Sequence, residues 1–153
     1  MPASPIPCAP RSCDIFKVIL VGTDGSESAD RALSLASDLA REHQSRLLVV
    51  HVDEIGGYES KLLTETRREI HDKIRDQVEA LKADGLDAHF ELRQMTITSP
   101  AHALADAAAG VADLIVLGNV GSGPLKGLLL GSVAYRMLHI APCPVMVVPK
   151  PES

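Results

Sequence analysis

The chain has no tryptophan and only two phenylalanines and two tyrosines. Aromatic bulk cannot fill its interior, so the core has to be aliphatic and alanine-rich. The same scarcity leaves few rings for base stacking. Lys and Arg number 15 against 20 Asp and Glu, a formal charge of −5, so the basic footprint of a nucleic-acid-binding surface is missing too. A small anion held by backbone amides is not excluded by that balance. No apolar run approaches the roughly 20 residues of a membrane helix. Cysteine is scarce: Cys8, Cys13 and Cys143. An odd count with two near the start argues against a disulfide framework and fits a reducing cytoplasm. Cys8 and Cys13 also lack the CxxC spacing of a metal or redox pair. The opening MPASPIPCAPRSCD has neither a basic start nor a long apolar centre, so it does not read as a secretory signal. Its four prolines and small residues predict a flexible tail over 1–14, followed by a single domain over 15–150.

What is present is a regular alternation. FKVILVG (16–22), RLLVVHV (46–52) and DLIVLG (113–118) are short aliphatic runs suited to strands buried on both faces. DAHFELRQM (87–95) is more polar and alternating, as an outer strand would be, and VMVV (145–148) is a final strand admitted after Pro142 and Pro144. Between them lie helical patterns. Ala29, Ala32, Leu33, Ala36, Leu39 and Ala40 share one face, and Leu63, Ile70, Ile74, Val78 and Leu81 form a second stripe that stops at Gly85. Ser99 as N-cap, Pro100 at the first helical position and Gly110 as stop frame a third helix. A fourth is expected near GSVAYRMLHIA. Five strands alternating with four helices predict an open, parallel, doubly wound α/β sheet with right-handed crossovers. Ligands of such sheets bind beyond the carboxyl ends of the strands.

Two segments stand at those ends, GTDGS (22–26) and GNVGSGPLKGLLLGSV (118–133), the latter with five glycines in 16 residues. The second is neither a Walker A loop, since Pro124 follows Gly123, nor a G-x-G-x-x-G fingerprint, since Lys126 stands at the third glycine. A glycine-rich turn needed only for packing is one reading. Phosphate binding is the other, and the onset of a helix at Gly131-Ser132-Val133 favours it, because free N–H groups and the positive dipole end attract anions. The Ser132 hydroxyl would add a donor, and Lys126 a charge. Asp24 is similarly two-sided. D-G-S-E has the shape of a capping box, with Asp24 serving the helix start and Glu27 reciprocating, but the same carboxylate could face a ligand.

Together these segments resemble the universal stress protein family, specifically its ATP-binding branch. The spacing G-x2-G-x9-G-[ST] is met by Gly118, Gly121 and Gly131-Ser132 without a gap. ILVGTDGS, VVHV, LLLGSV and APCPVMVV extend the likeness over residues 15–149. The resemblance implies a three-layer α/β/α sandwich with strand order 3-2-1-4-5, Rossmann-like and akin to the adenine nucleotide alpha hydrolases. It implies an ATP site in which Asp24 contacts the nucleoside, Gly22 and Thr23 line the same wall, and Val52 offers main chain and apolar surface to adenine. Leu117, Gly118, Gly121, Gly131, Ser132 and Val133 complete that set. Gly22 replaces a common proline, and Val120 replaces a frequent basic or histidine side chain, which removes one polar contact. Some members favour cyclic AMP. The family also implies a regulator or switch in the stress response, and a homodimer through the uncharged edge strand Val145–Val148.

The six histidines, His43, His51, His71, His89, His102 and His139, include no HExxH, and no compact His/Cys/carboxylate cluster suggests a protein-built metal site. His51, inside an aliphatic strand, is expected to be a satisfied core histidine. Mg²⁺ would then arrive on the phosphates. No G-x-S-x-G elbow and no general base beside the loop can be identified, so binding rather than hydrolysis is expected, with slow ATP turnover or autophosphorylation as the alternative.

Overall fold

The computed structural model describes residues 15–55, 61–121 and 129–151. The expected tail, with Cys8 and Cys13, and the Lys126 contact lie outside the described residues. Nine elements alternate along the chain: β1 (Val18–Thr23), α1 (Glu27–His43), β2 (Arg46–Glu54), α2 (Lys61–Ala83), β3 (Ala88–Met95), α3 (Pro100–Ala108), β4 (Leu114–Gly118), α4 (Ser132–Ile140) and β5 (Val145–Val148). The strands form one parallel sheet in the order β3-β2-β1-β4-β5, as the resemblance implied.

Alternation along each strand divides the core in two. Ile19 and Val21 of β1, with Leu47 and Val49 of β2, pack under α1 and α2 through Ala32, Leu33, Ala36, Ile74 and Val78. Leu20, Val50 and Ile115 face the opposite side, where Ala101, Leu104 and Ala108 of α3 meet Ala134 and Met137 of α4. Helices cover both faces, which gives the three-layer sandwich. The lack of aromatics is met by close approach: alanine faces on α1 and α3 let both helices lie near the sheet.

Local signals explain most boundaries. Ser99 accepts from His102 N–H with Pro100 behind it. Gly85 and Gly110 stop their helices at φ +91° and +69°, a region glycine enters without steric cost. At the amino edge of the sheet, Asp113 Oδ2 accepts from the Lys17 and Val18 N–H groups at 2.9 Å each, tying β1 to the start of β4.

Two expectations need correction. The N-cap of α1 is Ser26, whose side chain accepts from Ala29 N–H, so Glu27 falls at the first helical position and no capping box with Asp24 forms. Asp24 instead accepts the Ser26 N–H at 3.0 Å, closing a turn that passes through Gly25 at φ +78°. Leu63 does not belong to the buried stripe of α2. It is 56% exposed, because the first turns of α2 overhang the sheet's carboxyl edge instead of packing on it.

Candidate functional site

Sheet order reverses between β1 and β4, and the loops leaving these neighbours part there. The resulting cleft has a volume of about 560 Å³, within the range of small-molecule sites. Its walls contain Gly22, Thr23, Asp24, Val52, Leu117, Gly118, Gly121, Gly131, Ser132 and Val133. These ten candidate residues are thus brought to one place.

The β1–α1 turn forms one wall. Thr23 Oγ1 accepts from Gly25 N–H at 3.2 Å, and the Thr23 carbonyl accepts from His51 Nδ1 at 2.7 Å. The turn is also held from α2, where Lys73 Nζ reaches the Gly25 carbonyl at 2.7 Å and Asp30 at 2.8 Å. Asp24 therefore sits on a braced loop. Its Oδ2 would lie 3.1 Å from a Cβ placed on Gly121, so the two loops face each other across a narrow space.

The opposite wall is the β4–α4 connection. A Cβ on Gly118 would come within 2.3 Å of Ser28 Oγ and 2.7 Å of the Ser28 backbone. The close approach at Gly118 is thus made by Ser28 of α1. Gly131 is crowded by the chain of its own loop, with Val120 Cα at 3.2 Å and Asn119 O at 3.3 Å from a hypothetical Cβ. Gly22 is filled from the α3 side, since a Cβ there would meet Leu117 at 2.7 Å and Leu104 at 3.0 Å.

Asn119 organises this wall, and the sequence reading overlooked it. Its backbone N–H donates to Val148 O at 3.1 Å, its carbonyl accepts from Gly131 N–H, and its Oδ1 accepts from Ser28 Oγ at 3.1 Å. Only its place as the first spacer residue after Gly118 hinted at it. The loop consequently folds back and delivers Gly131 as the N-cap of α4. Ser26 caps α1 and Ser99 caps α3, but α4 starts at Gly131 with no side-chain cap among the described residues, and its first turn lies at the edge of the cleft. Val120 lines the cleft beside them and offers no charge.

The floor is apolar, built from Val50, Val52, Met95, Leu104 and Leu117. The charged side chains among its described lining are Asp24, Asp53, Glu54 and Arg67. Arg67 is committed to Asp53, Nε to Oδ1 at 3.0 Å, and to the Glu54 carbonyl at 3.0 Å. His51 is buried and hydrogen-bonded, as a core histidine should be. The expectation that no compact cluster of metal-ligating side chains exists is overturned, because His51, Asp53 and His71 gather with ligand atoms within 4.8 Å of one another. Nothing in the spacing shows this: β2 supplies two of the three and α2 the third.

A model of the universal stress protein family matches residues 15–149. A universal stress protein of Thermus aquaticus is 38% identical over 140 residues, covering 88% of this chain and 99% of its own. Among solved structures, a universal stress protein in complex with cAMP is 28% identical with a TM-score of 0.67, covering 88% of this chain and 97% of its own. The universal stress protein from Archaeoglobus fulgidus in complex with dAMP is 26% identical with a TM-score of 0.63, covering 87% and 98%. With the sheet order, the glycine-spaced loop and these matches in agreement, the chain belongs to the universal stress protein family.

Proposed function

We propose that the cleft binds ATP, with Mg²⁺ carried on its phosphates, and that the chain acts as a nucleotide-dependent regulator in the stress response. The observation that carries this reading is the uncapped start of α4 at the edge of a cleft lined by all ten named residues. Phosphate oxygens would accept from the N–H groups of Ser132 and Val133 and from the Ser132 hydroxyl. Adenine would lie against Val52, with Asp24 toward the nucleoside. The binding of cAMP and dAMP by the two solved relatives supports an adenine nucleotide as the ligand class. Three carboxylates against one engaged guanidinium make the described lining acidic, so a triphosphate needs its cation to enter.

That same acidity, with uncharged Val120 at the wall, favours a second reading in which a singly charged cyclic AMP is the preferred occupant. Titration of the full chain with ATP, with and without Mg²⁺, and with cyclic AMP in competition separates the two. Release of adenine nucleotide on denaturation of freshly purified protein would support both. Absence of binding by any adenine nucleotide refutes the site. A steady release of phosphate from ATP above that of a Ser132→Ala, Asp24→Ala double variant would turn the reading toward an enzyme.

The proposed assembly uses the sheet edge. β5 pairs with β4, and its outer edge is uncharged and half-buried, so a second copy joining through Val145–Val148 is the proposed homodimer. Sedimentation at micromolar concentration checks it, and a monomer refutes it. The proposed setting is the cytoplasm; no helix among the described residues is long and apolar enough to cross a membrane. Cell fractionation tests that location.

A further inference from the structure

His51 and Asp53 stand two residues apart on β2, so both side chains leave the same face of the strand. His71 reaches them from α2, its ring edge-on to His51 with centroids 5.3 Å apart. His51 is 6% and Asp53 8% exposed. Buried groups of this kind need partners or a metal. Arg67 supplies part of that need by holding Asp53 Oδ1 at 3.0 Å. His71 Nε2 lies 3.2 Å from Asp53 Oδ2, within ion-pair distance, yet this buried nitrogen makes no hydrogen bond among the described residues. His51 has the opposite character. Its Nδ1 faces the Thr23 carbonyl, which can only accept, so Nδ1 is the donor and Nε2 is the nitrogen left to offer a lone pair to a metal. A histidine fixed in this way, with one nitrogen donating to a carbonyl, has the orientation found in metal ligands.

We propose that His51, Asp53 and His71 form a three-ligand site for a divalent transition-metal ion of the zinc class, its remaining coordination position open to the cleft. Two imidazoles with one carboxylate suit such an ion, whereas Mg²⁺ and Ca²⁺ prefer oxygen donors throughout. Tetrahedral zinc, at about 2.0–2.1 Å from nitrogen, sets its donors about 3.3 Å apart. The spread of up to 4.8 Å therefore closes by small side-chain rotations on loading. Arg67 holds Asp53 Oδ1 and leaves Oδ2 toward His71, while its charge opposes the cation, so affinity falls below that of an unopposed site. His51 and Asp53 also line the cleft, which leaves the ion reachable from solvent.

Metal binding at these three residues needs no nucleotide, and none is added in the test. The full chain carrying Cys8→Ser and Cys13→Ser, which removes two competing thiols, is stripped with chelator and dialysed against Zn²⁺. One bound equivalent is expected, together with a rise in thermal midpoint on Zn²⁺ addition. Asp53→Asn and His71→Gln should each weaken binding at least tenfold and lose the thermal shift, while His139→Gln should keep both. Co²⁺ in place of Zn²⁺ should give visible absorption that vanishes in His71→Gln. Each variant's midpoint in chelator shows that it folds. A parent chain that binds no Zn²⁺, or binding and thermal shift unchanged in both Asp53→Asn and His71→Gln, overturns the proposal.

Discussion

Replacing Ser132 with aspartate separates what the start of α4 does for the fold from what it does for a ligand. Ser132 is exposed at the first helical position, behind a Gly131 cap that offers no side-chain acceptor. A carboxylate there complements the helix dipole, a gain of about 0.3–1 kcal/mol, so the thermal midpoint should stay level or rise by about 1–3 °C. A phosphate brought to the same turn meets a like charge. At about 4–5 Å and an effective dielectric near 20, that repulsion is about 3–4 kcal/mol per unit charge. Solvent and salt around an exposed residue reduce it by about half, leaving about 1.5–2 kcal/mol. Nucleotide affinity should therefore fall about 10–30-fold, and more at low salt. Calorimetric titration of ATP, run beside a thermal melt, reads both quantities. Adenosine, which brings no phosphate, should bind parent and variant alike, and Ser132→Ala should lose only about 1 kcal/mol of affinity without gaining stability. ATP binding unchanged in Ser132→Asp, in a protein at least as stable as the parent, refutes the assignment of phosphate to this helix end.

Further outcomes follow from contacts away from the cleft or at its rim. Asp113→Ala removes the acceptor of two backbone N–H groups and should cost about 1.5–3 kcal/mol in denaturant unfolding. Gly118→Ala drives a methyl group into the Ser28 backbone and should cost about 1–3 kcal/mol with no nucleotide present, whereas Gly121→Ala, facing only the Asp24 carboxylate, should leave unliganded stability nearly unchanged. The Arg46 guanidinium, then His89, hold the Asp87 carboxyl below its ordinary value of 3.8. A depressed carboxyl stabilises the fold above its unfolded value and loses that contribution as pH falls through the folded one. Arg46→Gln should thus be slightly less stable than the parent at neutral pH, and the gap should close under acid titration below about pH 4. Burial, and then the Asp113 charge, push the Cys143 thiol up. In a Cys8→Ser, Cys13→Ser background, labelling by a thiolate-selective reagent should be slower than for an unfolded control at neutral pH and accelerate in alkali.

The fold was legible because its signals are local. Aliphatic runs bounded by Gly, Pro and Ser mark buried parallel strands, and β5 falls where VMVV was expected. Loop chemistry was harder to read. Asp24 and Ser26 are both good caps, and the choice between them depends on where Gly25 turns the chain, which tertiary packing of Lys73 and Ile70 helps to decide. The glycine spacing located the cleft but not the reason for each glycine. Gly118 and Gly22 make room for Ser28, Leu104 and Leu117, neighbours that only the assembled layers bring near. Asn119 was missed because its work is done through hydrogen bonds to β5, to α1 and to the start of α4. The cluster of His51, Asp53 and His71 was hidden for the same reason, since it exists only once α2 lies over β2.

A helix whose N-cap glycine offers no side-chain acceptor to its first amides has a looser end, and looseness of this kind can carry a message. Whatever anion fills the first turn of α4 should slow amide exchange at Ser132, Val133 and Ala134, so the helix itself reports occupancy without any label on the ligand. Behind that turn, Ala134 and Met137 are locked into the same apolar layer as Val145 and Val147. Quieting the helix should therefore also quiet the outermost strand, next to β4. A chemical event at the middle of the sheet would then be felt as stiffness at its β5 edge, where another chain could sense it without ever touching the ligand.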